Sequence, residues 1–155
     1  MVLALCLAAC GPHQPGQVTP QTPNEALSKF MDAVKAKDVT RMSELWGSDR
    51  GPASTYMDKE HLRRTLTTIQ IYLDHKGYRI LEGPLPAQPL NPTYKNVPSM
   101  DRMRDFRVEL QRADCNTVFP MTMVQTNNGG WIVYDVHLEA LTTPGRCPAT
   151  TGTRP

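Results

Sequence analysis

Apolar positions between residues 23 and 75 recur with the 3.6-residue period of a helix, and beyond Gly77 the period falls to two. Leu27, Phe30, Met31 and Val34 form one helical face behind Thr22-Pro23-Asn24-Glu25. There Thr22 can cap, Pro23 suits the first helical position, and Glu25 can reach back to complete a capping box. Lys37-Asp38 breaks this helix. Asp38 caps a short second one that buries Val39, Met42, Leu45 and Trp46 before Gly47. After a loop over 47–57, Asp58 caps a third helix with Leu62, Leu66, Ile69 and Leu73 on one stripe. Its expected stop is His75-Lys76-Gly77, basic residues in the last turn followed by glycine.

The strand pattern starts with Tyr78-Arg79-Ile80-Leu81 and is cut off at Pro84, where five prolines in residues 84–98 mark a loop. Three strands follow. Asn127-Asn128-Gly129-Gly130 centres a two-residue hairpin on Asn-Gly. That turn sets Met123 opposite Tyr134, Met121 opposite Val136 and Phe119 opposite Leu138. A turn around Asp114-Cys115 sets Leu110 opposite Phe119, Val108 opposite Met121 and Phe106 opposite Met123. Phe106, Val108, Leu110, Phe119, Met121, Met123, Tyr134, Val136 and Leu138 then land on one face, an agreement that a one-residue slip in either hairpin would destroy. The expected class is α+β: three N-terminal helices packed on one face of a curved antiparallel sheet of at least four strands.

Composition narrows the role. Lys and Arg number 17 against 15 Asp and Glu, a net charge of +2, too balanced to point to nucleic acid. Of 14 prolines, 12 fall in residues 12–23, 84–98 and 144–155, so the excess sits in tails and one loop. There is no CxxC, HExxH, GxSxG or phosphate-binding glycine loop, and the four histidines have no metal-ligand spacing. No cofactor is expected.

Met1 to Cys10 reads MVLALCLAAC, uncharged, almost wholly apolar and too short to span a bilayer. Its end, Leu7-Ala8-Ala9-Cys10, resembles the lipobox of bacterial lipoproteins. The basic residues that normally precede such a stretch are missing, which points to a start further upstream. The resemblance implies that 1–9 is a signal peptide, that Cys10 is lipidated, and that 10–22 is a Pro-rich tether. Gly11 in place of Asp implies the outer membrane, with the protein facing the periplasm. Cys6 then leaves with the signal and Cys10 carries lipid, so Cys115 and Cys147 become the expected disulfide of an oxidising compartment. Residue 142 falls opposite Cys115 in the expected register, and Thr143-Pro144-Gly145 can turn the chain back. A C-terminal tail, 142–155, would be pinned by that bridge.

The stretch Phe30-Met31-Asp32-Ala33-Val34-Lys35-Ala36-Lys37-Asp38, the short helix to Trp46 and the strand Gly130-Trp131-Ile132-Val133 resemble the nuclear transport factor 2-like superfamily over 23–141. The resemblance implies an α+β cone around an apolar pocket. It is compatible with ketosteroid isomerases, polyketide cyclases and non-catalytic binding domains alike. Trp46, Tyr56, Phe106, Met121, Met123 and Tyr134 are the candidate pocket lining, or else they simply fill the core.

An enzyme of this type needs an acid or base inside the cone. Apart from the Tyr134 phenol, the expected pocket face has none. Asp135 and His137 point to the opposite face, Asp135 beside Thr122 and Arg107, and His137 beside Pro120 and Glu109, where cross-strand charge pairing explains them. No catalytic residue is expected. The reading is a non-catalytic envelope lipoprotein that binds a small apolar ligand or a protein partner; an isomerase- or cyclase-like enzyme is the alternative. Val118, Val124, Trp131 and Val133 on the opposite face make a candidate interface for a homodimer or an envelope partner.

Overall fold

A computed structural model describes residues 19–87 and 97–141. The chain is α+β, with three α-helices and a four-stranded antiparallel sheet. Helix α1 spans Pro23–Ala36 and α2 Val39–Leu45. Two short strands, β1 (Gly47–Ser48) and β2 (Gly51–Pro52), form a small hairpin inside the expected loop, and α3 follows over Lys59–Tyr72. The main sheet is β3 (Gly77–Pro86), β4 (Met103–Gln111), β5 (Asn116–Gln125) and β6 (Trp131–Val136), in the order β3-β4-β5-β6.

Each helix starts where a side-chain oxygen satisfies a free backbone N–H. The Glu25 amide donates to Thr22 Oγ1 (3.2 Å), the Arg41 amide to Asp38 Oδ1 (2.9 Å) and the His61 amide to Asp58 Oδ1 (2.9 Å). The Glu25 carboxylate accepts from the Gln21 amide, one residue before the position expected in a capping box. Helix α3 ends at Tyr72, ahead of the expected stop at His75-Lys76-Gly77. Its end is held from another element: the Arg112 guanidinium donates to the carbonyls of Tyr72 and Asp74. Gly77 is already the first residue of β3.

The β4–β5 hairpin turns at Ala113-Asp114, where the Arg112 amide donates to Cys115 O at 2.9 Å, not at Asp114-Cys115. Its pairs therefore differ from the expected ones by two residues: Val108 faces Phe119, Phe106 faces Met121 and Leu110 faces Thr117. A two-residue shift keeps every side chain on its expected face, because the strand period is two. Strand β3 runs past Pro84 to Pro86 with two register shifts. An edge strand tolerates proline because the missing N–H can face away from the ladder.

The β5–β6 turn differs in a way that moves side chains. It is a three-residue loop, Asn127 to Gly129, with the Thr126 amide bonded to Gly130 O at 2.7 Å and the Gly129 amide to Thr126 O at 2.9 Å. Gly129 has φ +88°, the left-handed residue that such a loop needs at its end. Gln125 thus pairs with Trp131, Val124 with Ile132 and Met123 with Val133. An extra residue at Tyr134 then restores the expected pairs Thr122–Asp135 and Met121–Val136. Between the turn and the bulge, the orientation of β6 is the reverse of that expected.

The inner face of the sheet shares one core with the helices. Leu27, Phe30, Met31, Leu45, Leu66, Phe106, Phe119, Met121, Met123, Trp131 and Val133 all belong to it. Leu138 does not pair with Phe119. It packs against this core from a 3-10 turn, Leu138–Ala140. A second, smaller cluster on the outer face joins Met103, Val124 and Ile132 with Ala87, Val97, Met100 and Tyr134. It is covered from the chain just before β4, a 3-10 turn at Met100–Arg102. Arg102 fixes that cover by donating to Asn127 Oδ1 (2.8 Å) and Gln125 O (2.7 Å). The expected tether also ends earlier: Pro20 O accepts from the Trp131 amide at 2.8 Å, so the chain is built into the fold by residue 20.

Val133 is fully buried in the main core and Val118 is 38% exposed. Val133→Asp should therefore cost about 3–5 kcal/mol, the penalty of an unpaired buried charge. Val118→Thr, opposite Glu109 and free of added charge, should stay within about 0.5 kcal/mol of the parent. Urea unfolding of the two variants checks both values.

His75 gives the fold a pH dependence. Its Nδ1–H donates to Leu73 O (2.7 Å), while buried Nε2 has no partner among the described residues. Burial lowers its pKa; Lys35 adds to this, and the Leu73 carbonyl, Asp74 and Asp32 oppose it. The folded value lies below the unfolded value of about 6.5, so this contribution to stability is complete above that pH. It is lost as pH falls from there through the folded pKa. Stability measured from pH 7 to 5 should fall with a slope that shrinks by up to about one proton in His75→Gln.

Candidate functional site

The expected pocket residues do not line one cavity. Phe106, Met121 and Met123 are at most 1% exposed and are packed among the helix residues. Trp46 is half-buried against the same core, bridged to Val133 through the backbone, and its indole N–H has no partner among the described residues. Tyr56 is exposed; its hydroxyl meets Ser48 Oγ at 3.2 Å and the Arg50 guanidinium stacks 4.3 Å from its ring centre. It follows the 3-10 turn at Ala53–Thr55 and packs on the β1–β2 hairpin, not on the main sheet. The bulge carries Tyr134 to the outer cluster, where burial chiefly raises its phenol pKa, helped by Asp135 and Asp49.

The expected interface is also redistributed. Trp131 and Val133 lie in the helix-facing core because the turn and bulge invert that part of β6, and Val124 lies under the Val97–Arg102 cover. Of the four, only Val118 is exposed. Around it the outer face carries cross-strand ion pairs, Arg79 Nη2–Glu109 Oε2 at 3.0 Å and Arg107 Nη1–Glu82 Oε2 at 3.1 Å. Pairs so exposed on one or both sides are worth about 0–1 kcal/mol.

The densest polar group on this face lies between β4, β5 and the end of β6. Thr122, almost fully buried, donates its hydroxyl to Asp105 Oδ1 (2.7 Å), and its oxygen lies 3.3 Å from His137 Nε2. His137 Nδ1 lies 3.0 Å from Glu139 Oε1 and 4.0 Å from Asp135 Oδ2. Asp135 pairs with Thr122 as expected, but the shifted β4 register brings Asp105 beside Thr122 in place of Arg107. Desolvation raises the Asp135 pKa and His137 offsets part of this. With 49% of that side chain still open to water, screening keeps the effect small.

The order hydroxyl, imidazole, carboxylate imitates a nucleophilic triad, but its polarity is wrong. The hydroxyl proton goes to Asp105 and not to the imidazole, and Thr122 is only 3% exposed. The group instead ties β4, β5 and the 3-10 turn together. Among the described residues no three His, Cys, Asp or Glu side chains are grouped to hold a metal ion.

Two clefts lie elsewhere. One, of about 200 Å³, opens between α2, β2 and the β5–β6 turn, with Thr19 and Pro20 in its wall and the Arg41–Glu44 ion pair (2.8 Å) on its lining. The other, of about 230 Å³, runs between α2 and α3. Sequence reasoning missed both clefts and the Asp105–Thr122 bond, since residues far apart in the chain meet only through the register.

Cys115 is disulfide-bonded. Cys10 and Cys147 lie outside the described residues. No protein-family model matches the chain, and no curated protein is significantly similar to it.

Thr122→Val keeps the side-chain shape and removes the shared hydroxyl. It should cost about 1.5–3 kcal/mol, as for a lost hydrogen bond to a charged group. In a double-mutant cycle with His137→Ala the losses should fall short of additivity. Strict additivity in denaturant melts would mean that the two side chains are not coupled.

Proposed function

We propose that this chain is a lipid-anchored protein of the bacterial cell envelope, held through Cys10 at the outer membrane and facing the periplasm. Its NTF2-like domain serves binding and not catalysis. The observation that carries this reading is the closed inner face of the sheet. Phe106, Met121, Met123 and Val133 fill it at no more than 1% exposure and none is ionisable, whereas an isomerase or cyclase needs a carboxylate or imidazole beside an open apolar cavity. The part of the outer face that no described residue covers, Val118 and Pro120 among the Arg79–Glu109 and Arg107–Glu82 pairs, is the surface we propose for an envelope protein partner.

The cysteine geometry supports the anchor. The His137 amide bonds to Pro120 O, five strand residues or about 17 Å from Cys115. Cys147 is ten residues beyond His137, a reach of about 33 Å, twice that span. On the other side, Pro20 is bonded at Trp131, opposite Gln125 and ten strand residues from Cys115, about 33 Å away. Cys10, ten residues from Pro20, would get there only fully stretched. With Cys6 leaving in the proposed signal peptide, Cys147 is the proposed partner of Cys115 and Cys10 is left for the lipid.

Intact mass of the protein purified from its own membrane should show loss of residues 1–9, a diacylglyceryl group on Cys10 and one internal disulfide. Cys10→Ala should disappear from the carbonate-washed membrane fraction. Retention of that variant in the washed membrane would overturn the anchor.

A further inference from the structure

Helix α3 carries two functions on one side. Lys59, Leu62, Arg63 and Leu66 stand at i, i+3, i+4 and i+7, a single continuous face. Leu62 and Leu66 belong to the main core, yet together with Val39 they also form the apolar floor of the α2–α3 groove. Thr40, Ser43 and Ser54 add hydroxyls to its lining. At about 230 Å³ the groove exceeds the ~150 Å³ apolar cavity known to admit a benzene ring.

Its charge is one-sided. The lining holds two cations, Lys59 and Arg63, and no carboxylate. Arg63 spends Nε (3.0 Å) and Nη2 (2.7 Å) on Glu60, which leaves Nη1 open. The Lys59 ammonium has no ion-pair partner among the described residues. An apolar lining beside the Lys59 ammonium, with the Glu60-paired Arg63 next to it, fits a ligand with an apolar body and a negative end.

We propose that the α2–α3 groove binds a small amphiphilic carboxylate, its chain on Val39, Leu62 and Leu66 and its carboxylate on Lys59 and Arg63. This is a second site, apart from the outer-face surface proposed for a protein partner, and it rests neither on that surface nor on lipidation. The carboxylate gains two charge-assisted donors. The chain lies along Val39 and the apolar stems of Lys59 and Arg63, over Leu62 and Leu66, which are 4% and 0% exposed.

The test uses the full chain carrying Cys10→Ser, so that the anchor does not enter, titrated with sodium octanoate below its micellar range and followed by amide NMR. Saturable shifts are expected at Thr40, Ser43, Leu62 and Leu66, with binding weakened at least about tenfold in Lys59→Glu. Ser43→Trp should fill the groove and abolish the shifts; if that variant does not fold, Lys59→Glu at its exposed position decides. Octylammonium should not bind. Absence of saturable shifts at those amides, unchanged affinity in Lys59→Glu, or equal binding of octylammonium would each overturn the proposal. The membrane fractionation of Cys10→Ala is independent of all three.

Discussion

Strand β6 must satisfy two surfaces at once, and a single extra residue at Tyr134 lets it do so. Side chains of a strand alternate faces without exception unless a bulge intervenes. From Gln125–Trp131 to Met123–Val133 the strand keeps the register of its three-residue turn, which sends Trp131 and Val133 toward the helices. Past Tyr134 the register slips by one, and Val136 faces the helices as well while Asp135 stays outside beside Thr122. Without the slip, either the Trp131–Val133 pair or Val136 would leave the core, at a cost of about 1.5–3 kcal/mol for each large apolar side chain exposed.

The rest of the architecture follows from that arrangement. With Trp131 and Val133 inside, the helix-facing side of the sheet is filled by large residues. Ile132, Val124 and Met103 are left on the outer face, and the Val97–Arg102 segment covers them. Arg102 locks the cover to the β5–β6 turn, and Arg112 does the corresponding service at the far end, bonding the end of α3 from the β4–β5 turn. Among the described residues, what these covers leave exposed is the charged stretch around Val118 and the grooves beside α2.

Much of this was legible in the residues, because the signals involved are local. The three N-caps at Thr22, Asp38 and Asp58 are decided within a few residues, and so is the 3.6-residue stripe that each helix buries. Side-chain facing in β4 and β5 survived a two-residue error in their turn, since an even shift leaves alternation intact. The error at β6 was odd in size and so fatal to facing. Asn127-Asn128-Gly129 reads equally as a two-residue or a three-residue turn, and nothing near Tyr134 announces a bulge. The candidate pocket and interface inherited that error through Tyr134, Trp131 and Val133. Arg112 on Tyr72, or Thr122 on Asp105, had no signal at all, being contacts between segments that only the folded register brings together.

The position of the Tyr134 ring tests the account most directly, because the closed inner face and the covered outer one both depend on it. Nuclear Overhauser contacts from the Tyr134 ring protons in the full-length protein should connect it to its cluster partners on the outer face, Met103, Val124 and the Val97–Met100 segment. Contacts from that ring to Phe106 and Met123 instead would place Tyr134 among the helices. They would return Val133 to the surface and contradict the account.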